Sequence, residues 1–274
     1  MRPEQPARIT RSVSRLKETH PDWSWQKVDG ADEADLLSAH EPALLKRLQR
    51  ATDIDDDTPW FPGIYDHARR SVGAALAAAE AALAGEKTFS LMRPPGHHCT
   101  RAQAMGFCYL NSIAIAALKM ARTGRRVAVW DFDAHHGNGT EDILHGETNV
   151  LFTSVHQSPC YPGTGLHSFD NCQNYLVRPR ASRQTHLVEL ADSWRAIQAF
   201  NPDLILVSAG FDAYAHDPIT EMTLERPDFA VLGSWLYDSA IPTAAILEGG
   251  YSSDLPLLID DFLSAWENRT LLSV

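Results

Sequence analysis

Residues 126–140 read "RVAVWDFDAHHGNGT". The apolar run from Val127 to Trp130 is bounded and rich in bulky side chains, which predicts a strand over 126–133 buried on both faces. It passes at once into aspartates, histidines and glycines, so its carboxyl end carries charge. In an open parallel sheet that end is where ligands bind.

Working outward, four more runs have the same character: "TFSLM" (88–92), "NVLFTSV" (149–155), "DLILVSAG" (203–210) and "TAAILEGG" (243–250). Helical patterns lie between them at 65–85, 111–124, 185–200 and 228–240, and earlier at 8–20 and 41–51. Gly85 is a natural C-cap for the alanine-rich helix. Strand, loop and helix in alternation predict parallel βαβ units. The expected fold is a single α/β domain over 1–274, with a mainly parallel central sheet flanked by helices on both faces. Neither an internal repeat nor a low-complexity segment divides the chain.

Unusual polar residues follow four of the five strands. The first runs into His97 and His98, the second into Asp131, Asp133, His135 and His136, the fourth into Asp212, and the fifth into Tyr251. Residues at i, i+2 and i+4 of an extended segment share a face, which would align Asp131, Asp133 and His135. Unpaired carboxylates at the end of a buried strand are costly, and a metal ion removes the cost. Asp212 from another strand end would complete the site. Two aspartates and a histidine with open positions suit Zn²⁺ as a Lewis acid, with Fe²⁺ as another candidate. Taken alone, "DFDAH" also fits a helix-capping, salt-bridging turn.

The pair in "RPPGHH" (93–98) follows prolines that fix direction and a glycine that frees it. A single histidine there would more often be buried and satisfied by backbone groups. Two of them beside a metal site suit general-base catalysis, one as base and one held by a carboxylate. Tyr251, behind Gly249 and Gly250, is either a packing residue or a hydroxyl donor to a developing oxyanion.

Together "RPPGHH", "GFCYLNSIAIAA", "DFDAHHGNGT", "SAGFDAYAHDP" and "LEGGY" resemble the zinc-dependent histone deacetylase superfamily. That group includes the acetylpolyamine amidohydrolases and has the arginase-like α/β fold. The resemblance implies Asp133, His135 and Asp212 as zinc ligands. It implies Asp131 as partner of His97 and as part of a structural potassium site with Asp133, His135, Ser154 and Val155. His98 becomes the general base, Asn138 its partner, and Tyr251 the oxyanion donor. Gly106, Phe107 and Tyr161 would line a tunnel, with Asp57 and Ile219 at its rim. The implied reaction is hydrolysis of an N-acyl amide. The family's first strand has no counterpart before "MRPEQPAR", Arg8 matches an internal arginine, and the short loop "QSPCYPGTG" implies an open rim.

The formal net charge of −11 argues against nucleic-acid binding and favours a cationic substrate or partner. Four cysteines without CxxC spacing, no secretory signal and no bilayer-length apolar run predict a reduced, cytoplasmic protein off the membrane. Homo-oligomers are compatible with all of this. The substrate is expected to be an acetylpolyamine, another small acyl-amine or an acetyl-lysine peptide. "HDPITEMTLERPDFAVLG" resembles the polyamine branch, whereas Ile219 is apolar where polyamine-selective relatives place a glutamate. An arginase-like binuclear manganese hydrolase would want a carboxylate where Gly137 stands. A non-catalytic acyl-amine binding protein would be expected to have lost Tyr251, His98 or a ligand.

Overall fold

The computed structural model describes residues 2–268; residue 1 and residues 269–274 of the expected domain lie outside the described part. The helices are α1 (Ala7–Thr19), α2 (Glu33–Leu36), α3 (Pro42–Leu48), α4 (Ile64–Leu83), α5 (Ser112–Ala121), α6 (Asn138–Leu144), α7 (Arg183–Phe200), α8 (Arg226–Ser239) and α9 (Leu255–Glu267). The strands are β1 (Thr88–Ser90), β2 (Val127–Asp131), β3 (Val150–Gln157), β4 (Cys172–Val177), β5 (Leu204–Ala209) and β6 (Thr243–Leu247). They form one six-stranded sheet in the order β1-β6-β5-β2-β3-β4. Every pairing is parallel. β2 therefore sits centrally between β5 and β3, which explains its lack of polar alternation.

Period-two side-chain direction splits the core into two layers. Val127 and Val129 of β2, with Leu204, Leu206 and Ile246, face the small-residue surfaces of α4 and α5. Ala128 and Trp130, with Ile205, Val207 and Leu247, face α1, α7, α8 and α9. Helix starts follow local chemistry: Asn111 caps α5 by accepting from the Ala114 N–H at 3.0 Å, and α8 opens with a reciprocal Glu225–Asp228 capping box.

The five expected strands are present; β3 runs on to Gln157, past its expected end, and the other four end earlier. β2 stops at Asp131, β5 at Ala209 and β6 at Leu247, where polar and glycine-rich residues leave the ladder to build loops, and β1 stops at Ser90, ahead of the prolines at 94 and 95. Four elements lacked a sequence-based expectation. α2 is four residues long. α6 begins within the glycine-rich "GNGT", and β4 is a half-exposed edge strand whose polar "QN" hides its period. α9 has a plain apolar stripe, Leu255, Leu258, Ile259, Phe262, Leu263 and Trp266, behind a proline in its first turn.

Candidate active site

β2 delivers Asp131 as its last residue, level with Ser154 of β3 and Ser208 of β5. Beyond it the chain does not stay extended, and the expected shared face of Asp131, Asp133 and His135 is not formed. Asp131 Oδ1 accepts the Asp133 N–H at 3.1 Å and Asp133 Oδ1 accepts the His135 N–H at 2.9 Å. Two successive aspartate turns curl the backbone off the sheet. Their consequence is a division: Asp131 Oδ2 meets His97 Nδ1 at 3.0 Å, while Asp133 and His135 turn toward Asp212.

His135 Nδ1 lies 3.2 Å from Asp133 Oδ1 and 2.9 Å from Asp212 Oδ2. Donor atoms of all three residues fall within 4.8 Å of one another, and all three side chains are buried. Backbone N–H groups hold the carboxylates from behind, Ala134 to Asp212 Oδ1 at 2.8 Å and Gly249 to Asp133 Oδ2 at 2.8 Å. A Cβ at Gly249 would stand 2.4 Å from Asp212 Oδ2 and 2.5 Å from Asp133 Oδ2, so only glycine admits this approach. Hard oxygen donors and one imidazole, aimed inward and buried together, fit a divalent ion such as zinc. Among the described residues this is the one such cluster, so a second, arginase-like ion has no comparable donor set.

The charges are strongly coupled. Burial lifts the Asp212 pKa, and the neighbouring Asp133 lifts it further. Burial also opposes ionisation of Asp133, but His97 and then His135 outweigh it and hold that carboxyl below its ordinary range. At His97 burial favours the neutral ring, yet Asp133 and Asp131 together push the pKa up to about 10. Burial lowers the pKa of His98, and the nearby His97 and His135 lower it further. The two rings are 4.1 Å apart between centroids, one tuned to keep its proton and the other to lose it. His98 Nδ1 lies 2.8 Å from Asn138 Oδ1 and donates to it, which leaves Nε2 as the acceptor of the neutral ring.

Tyr251 enters from the loop after β6. Its N–H donates to Asp217 Oδ2 at 2.7 Å, and Asp217 Oδ1 accepts the Ile219 N–H at 3.1 Å, so one carboxylate ties this tyrosine to the expected rim residue. The Arg8 guanidinium lies 4.7 Å over the Tyr251 ring and donates through Nε to the Gly250 carbonyl at 2.7 Å. Burial raises the phenol pKa well above its ordinary value, keeping it a donor.

Of the three expected wall residues, Gly106 and Tyr161 meet at His98 and Phe107 lies against Tyr251. Gly106 has φ +55°, and a Cβ there would lie 2.6 Å from the His98 ring and 2.9 Å from that of Tyr161. Tyr161 stands edge-on to His98 at 5.1 Å, and Phe107 edge-on to Tyr251 at 5.7 Å. Asp57 sits in an exposed acidic turn, its N–H donating to Asp55 Oδ1 at 3.0 Å, and its charge is felt at the Tyr161 phenol. Ser154 Oγ pairs with His156 Nδ1 at 2.9 Å, and Val155 follows it in β3. A groove of about 680 Å³ beside β1, lined by Trp23, Trp25 and Phe89, shares no residue with this cluster.

Sequence reasoning missed the supports. Asp217 and the fully buried Glu248 find their partners far along the chain, and no spacing signals them. Glu248 was visible only as a letter of "LEGGY".

The histone deacetylase domain model matches residues 2–260. A histone deacetylase-like amidohydrolase of Pseudomonas aeruginosa is 38% identical over 81% of this chain and 64% of its own length. An acetylpolyamine amidohydrolase of Burkholderia pseudomallei is 34% identical over 86% of this chain and 74% of its own. The crystal structure of acetylpolyamine aminohydrolase from Burkholderia pseudomallei superposes with a TM-score of 0.91 at 27% identity, covering 98% of this chain and 92% of that one. With the domain matched over nearly the whole described chain and the fold shared, the chain belongs to the histone deacetylase family and is a hydrolase of amide bonds.

Proposed function

We propose that the protein is a zinc-dependent deacetylase of small N-acetylated amines, acetylpolyamines foremost. The convergence of Asp133, His135 and Asp212 beside two differently tuned histidines carries this reading. A zinc ion held by those three residues would supply Lewis acidity toward an amide carbonyl and acidify a water.

The protein's own groups divide the remaining work. His98 Nε2 takes the proton of the attacking water, because its Nδ1 is occupied by Asn138 and its depressed pKa keeps the ring neutral. His97, paired with Asp131, stays charged beside it and favours the build-up of negative charge on the carbonyl oxygen. The Tyr251 hydroxyl donates to that oxygen. Gly106, Phe107 and Tyr161 hold the alkyl chain and exclude water. Return of a proton from the histidines to the leaving nitrogen releases acetate and the amine. A potassium ion between β2 and β3, at Asp131, Asp133, His135, Ser154 and Val155, would offset the crowded carboxylates from behind.

The net charge of −11 and the acidic turn carrying Asp55 and Asp57 favour a cationic substrate, and the relatives named for acetylpolyamines support the same class. No helix among the described residues is long and apolar enough to cross a membrane, and a cytoplasmic amine pool is the proposed setting. Side-by-side assay of the zinc-loaded protein on acetylated polyamines, other small acyl-amines and acetyl-lysine peptides tests the reading, with Tyr251→Phe as control. Higher kcat/KM on the polyamines and a large loss in the variant are expected. Preference for peptides would reverse the substrate assignment, and undiminished turnover in Tyr251→Phe would sink the mechanism.

A further inference from the structure

We propose that Glu248 is a positioning residue for the His97–His98 pair, acting from the neighbouring strand through the backbone of the turn that carries them. It lies just past the end of β6, the strand paired with β1, and is fully buried. Its Oε2 accepts two N–H groups in succession, Gly96 at 2.7 Å and His97 at 3.1 Å. The other side of the same residue is also held: the His97 carbonyl accepts from Gly139 and Thr140 of α6 at 3.0 and 3.1 Å. His97 is thus gripped at N–H by Glu248 and at C=O by α6, and His98 follows directly from that grip.

Glu248 is itself fixed. Its N–H donates to the Ala209 carbonyl at 3.0 Å, and its own carbonyl accepts from the Arg8 guanidinium. Oε1 has only a long 3.5 Å approach from Ser208 Oγ, so the two turn N–H groups are the main polar partners of the carboxylate. A buried carboxylate so placed transmits the position of the sheet to the histidines, and a shift of about 1 Å in a catalytic group costs up to roughly 100-fold in rate. The inference rests on the deacetylase reading for its kinetic arm alone.

Two substitutions separate position from charge. In Glu248→Gln the amide oxygen can occupy the place of Oε2 and accept both N–H groups, with the amide nitrogen toward Ser208. In Glu248→Ala both N–H groups lose their acceptor. The expected result is a kcat loss of about 30- to 100-fold in the alanine variant, with KM within about threefold and the bound metal retained. Glutamine should recover most of that loss. Amide hydrogen exchange reads the same bonds without turnover: Gly96 and His97 should lose protection in Glu248→Ala and keep it in Glu248→Gln.

Wild-type kcat in Glu248→Ala would overturn the proposal, as would unchanged exchange at Gly96 and His97. It would also be overturned if Glu248→Gln kept that protection yet was as slow as alanine, because charge would then be the operative property. If the wild-type protein hydrolyses no acyl-amine, the deacetylase reading fails, while the exchange rates still decide the role of Glu248. Should the alanine variant not fold, Glu248→Asp, one methylene short of the turn, takes its place with the same expectations.

Discussion

His97 and His40 are both buried, at 2% and 3% exposure, and hold opposite charge states. His97 lies among carboxylates, which overcome burial and raise its pKa to about 10. His40 lies under the loop before α5, where burial dominates and lowers its pKa to about 4. Its Nδ1 donates to the Thr100 carbonyl at 3.0 Å and its Nε2 accepts the Asn111 N–H at 2.9 Å, an arrangement that only the neutral ring satisfies. The bland reading of a histidine in this fold, buried and bonded to backbone, is thus realised at His40. Burial alone assigns neither role; the neighbouring groups do.

The largest effect expected at the carboxylate-rich end is in Asp212→Ala. Loss of one of three ligands should remove the bound divalent ion, seen by elemental analysis, and lower kcat by about 1000-fold or more. A variant that keeps its ion would break the assignment of the cluster as a metal site. His98→Ala comes next, with kcat reduced by about 100- to 1000-fold and the ion retained, because the proton acceptor goes while the ligands stay. Equal loss of metal in that variant would show that His98 is structural, as His40 is.

His40→Leu should do the reverse of His98→Ala. It leaves the buried Asn111 N–H without a partner and takes the imidazole donor from the half-buried Thr100 carbonyl, at a cost of about 1–3 kcal/mol in unfolding free energy measured by urea denaturation. The folded fraction should keep kcat within about twofold, since His40 bonds the backbone of Thr100 and Asn111 and not a side chain of the site. The pH dependence sharpens the contrast. A histidine whose folded pKa is depressed binds fewer protons than the unfolded chain between the two values, so its stabilisation is present above about 6.5 and lost as the pH falls toward 4. His40 should therefore contribute a slope of about 1.4 kcal/mol per pH unit within that window, reduced in the leucine variant. An unchanged slope would show that His40 does not titrate in this way. Among the variants expected to lose activity, the smallest loss is in Asn138→Ala, about tenfold in kcat, because the His98 ring loses its orienting acceptor but keeps its chemistry.

What could be read in advance follows a physical divide. β2, β3, β5 and β6 were legible because central parallel strands are apolar on both faces; Asp133, His135, Asp212 and Tyr251 stood out as candidates because they follow such strands, and His97 and His98 because they follow β1 at the edge. β4 was not, since an edge strand with Gln173 and Asn174 loses the apolar run. α9 carries a readable stripe from Leu255 to Trp266. The curl at Asp131–His135 was misread as extended, because aspartate side chains can replace ladder bonds with turn bonds and spacing does not say which. Glu248, Asp217 and the Arg8 contacts were out of reach for another reason: they join stretches separated by 152, 34 and 242 positions.

That last separation bears on how the protein comes into being. Arg8 near one end of the chain grips the Gly250 carbonyl near the other, and Gly249 lies against both Asp133 and Asp212. Emerging from the ribosome, the chain has made His97, His98, Asp133 and His135 long before Asp212, and Asp212 before the glycines that close the cradle. Local helices form early, while pairings of such sequence distance come late. The Asp133–His135–Asp212 cluster therefore cannot assemble on the growing chain before Gly249 and Gly250 have been made, and uptake of the proposed ion would follow that step.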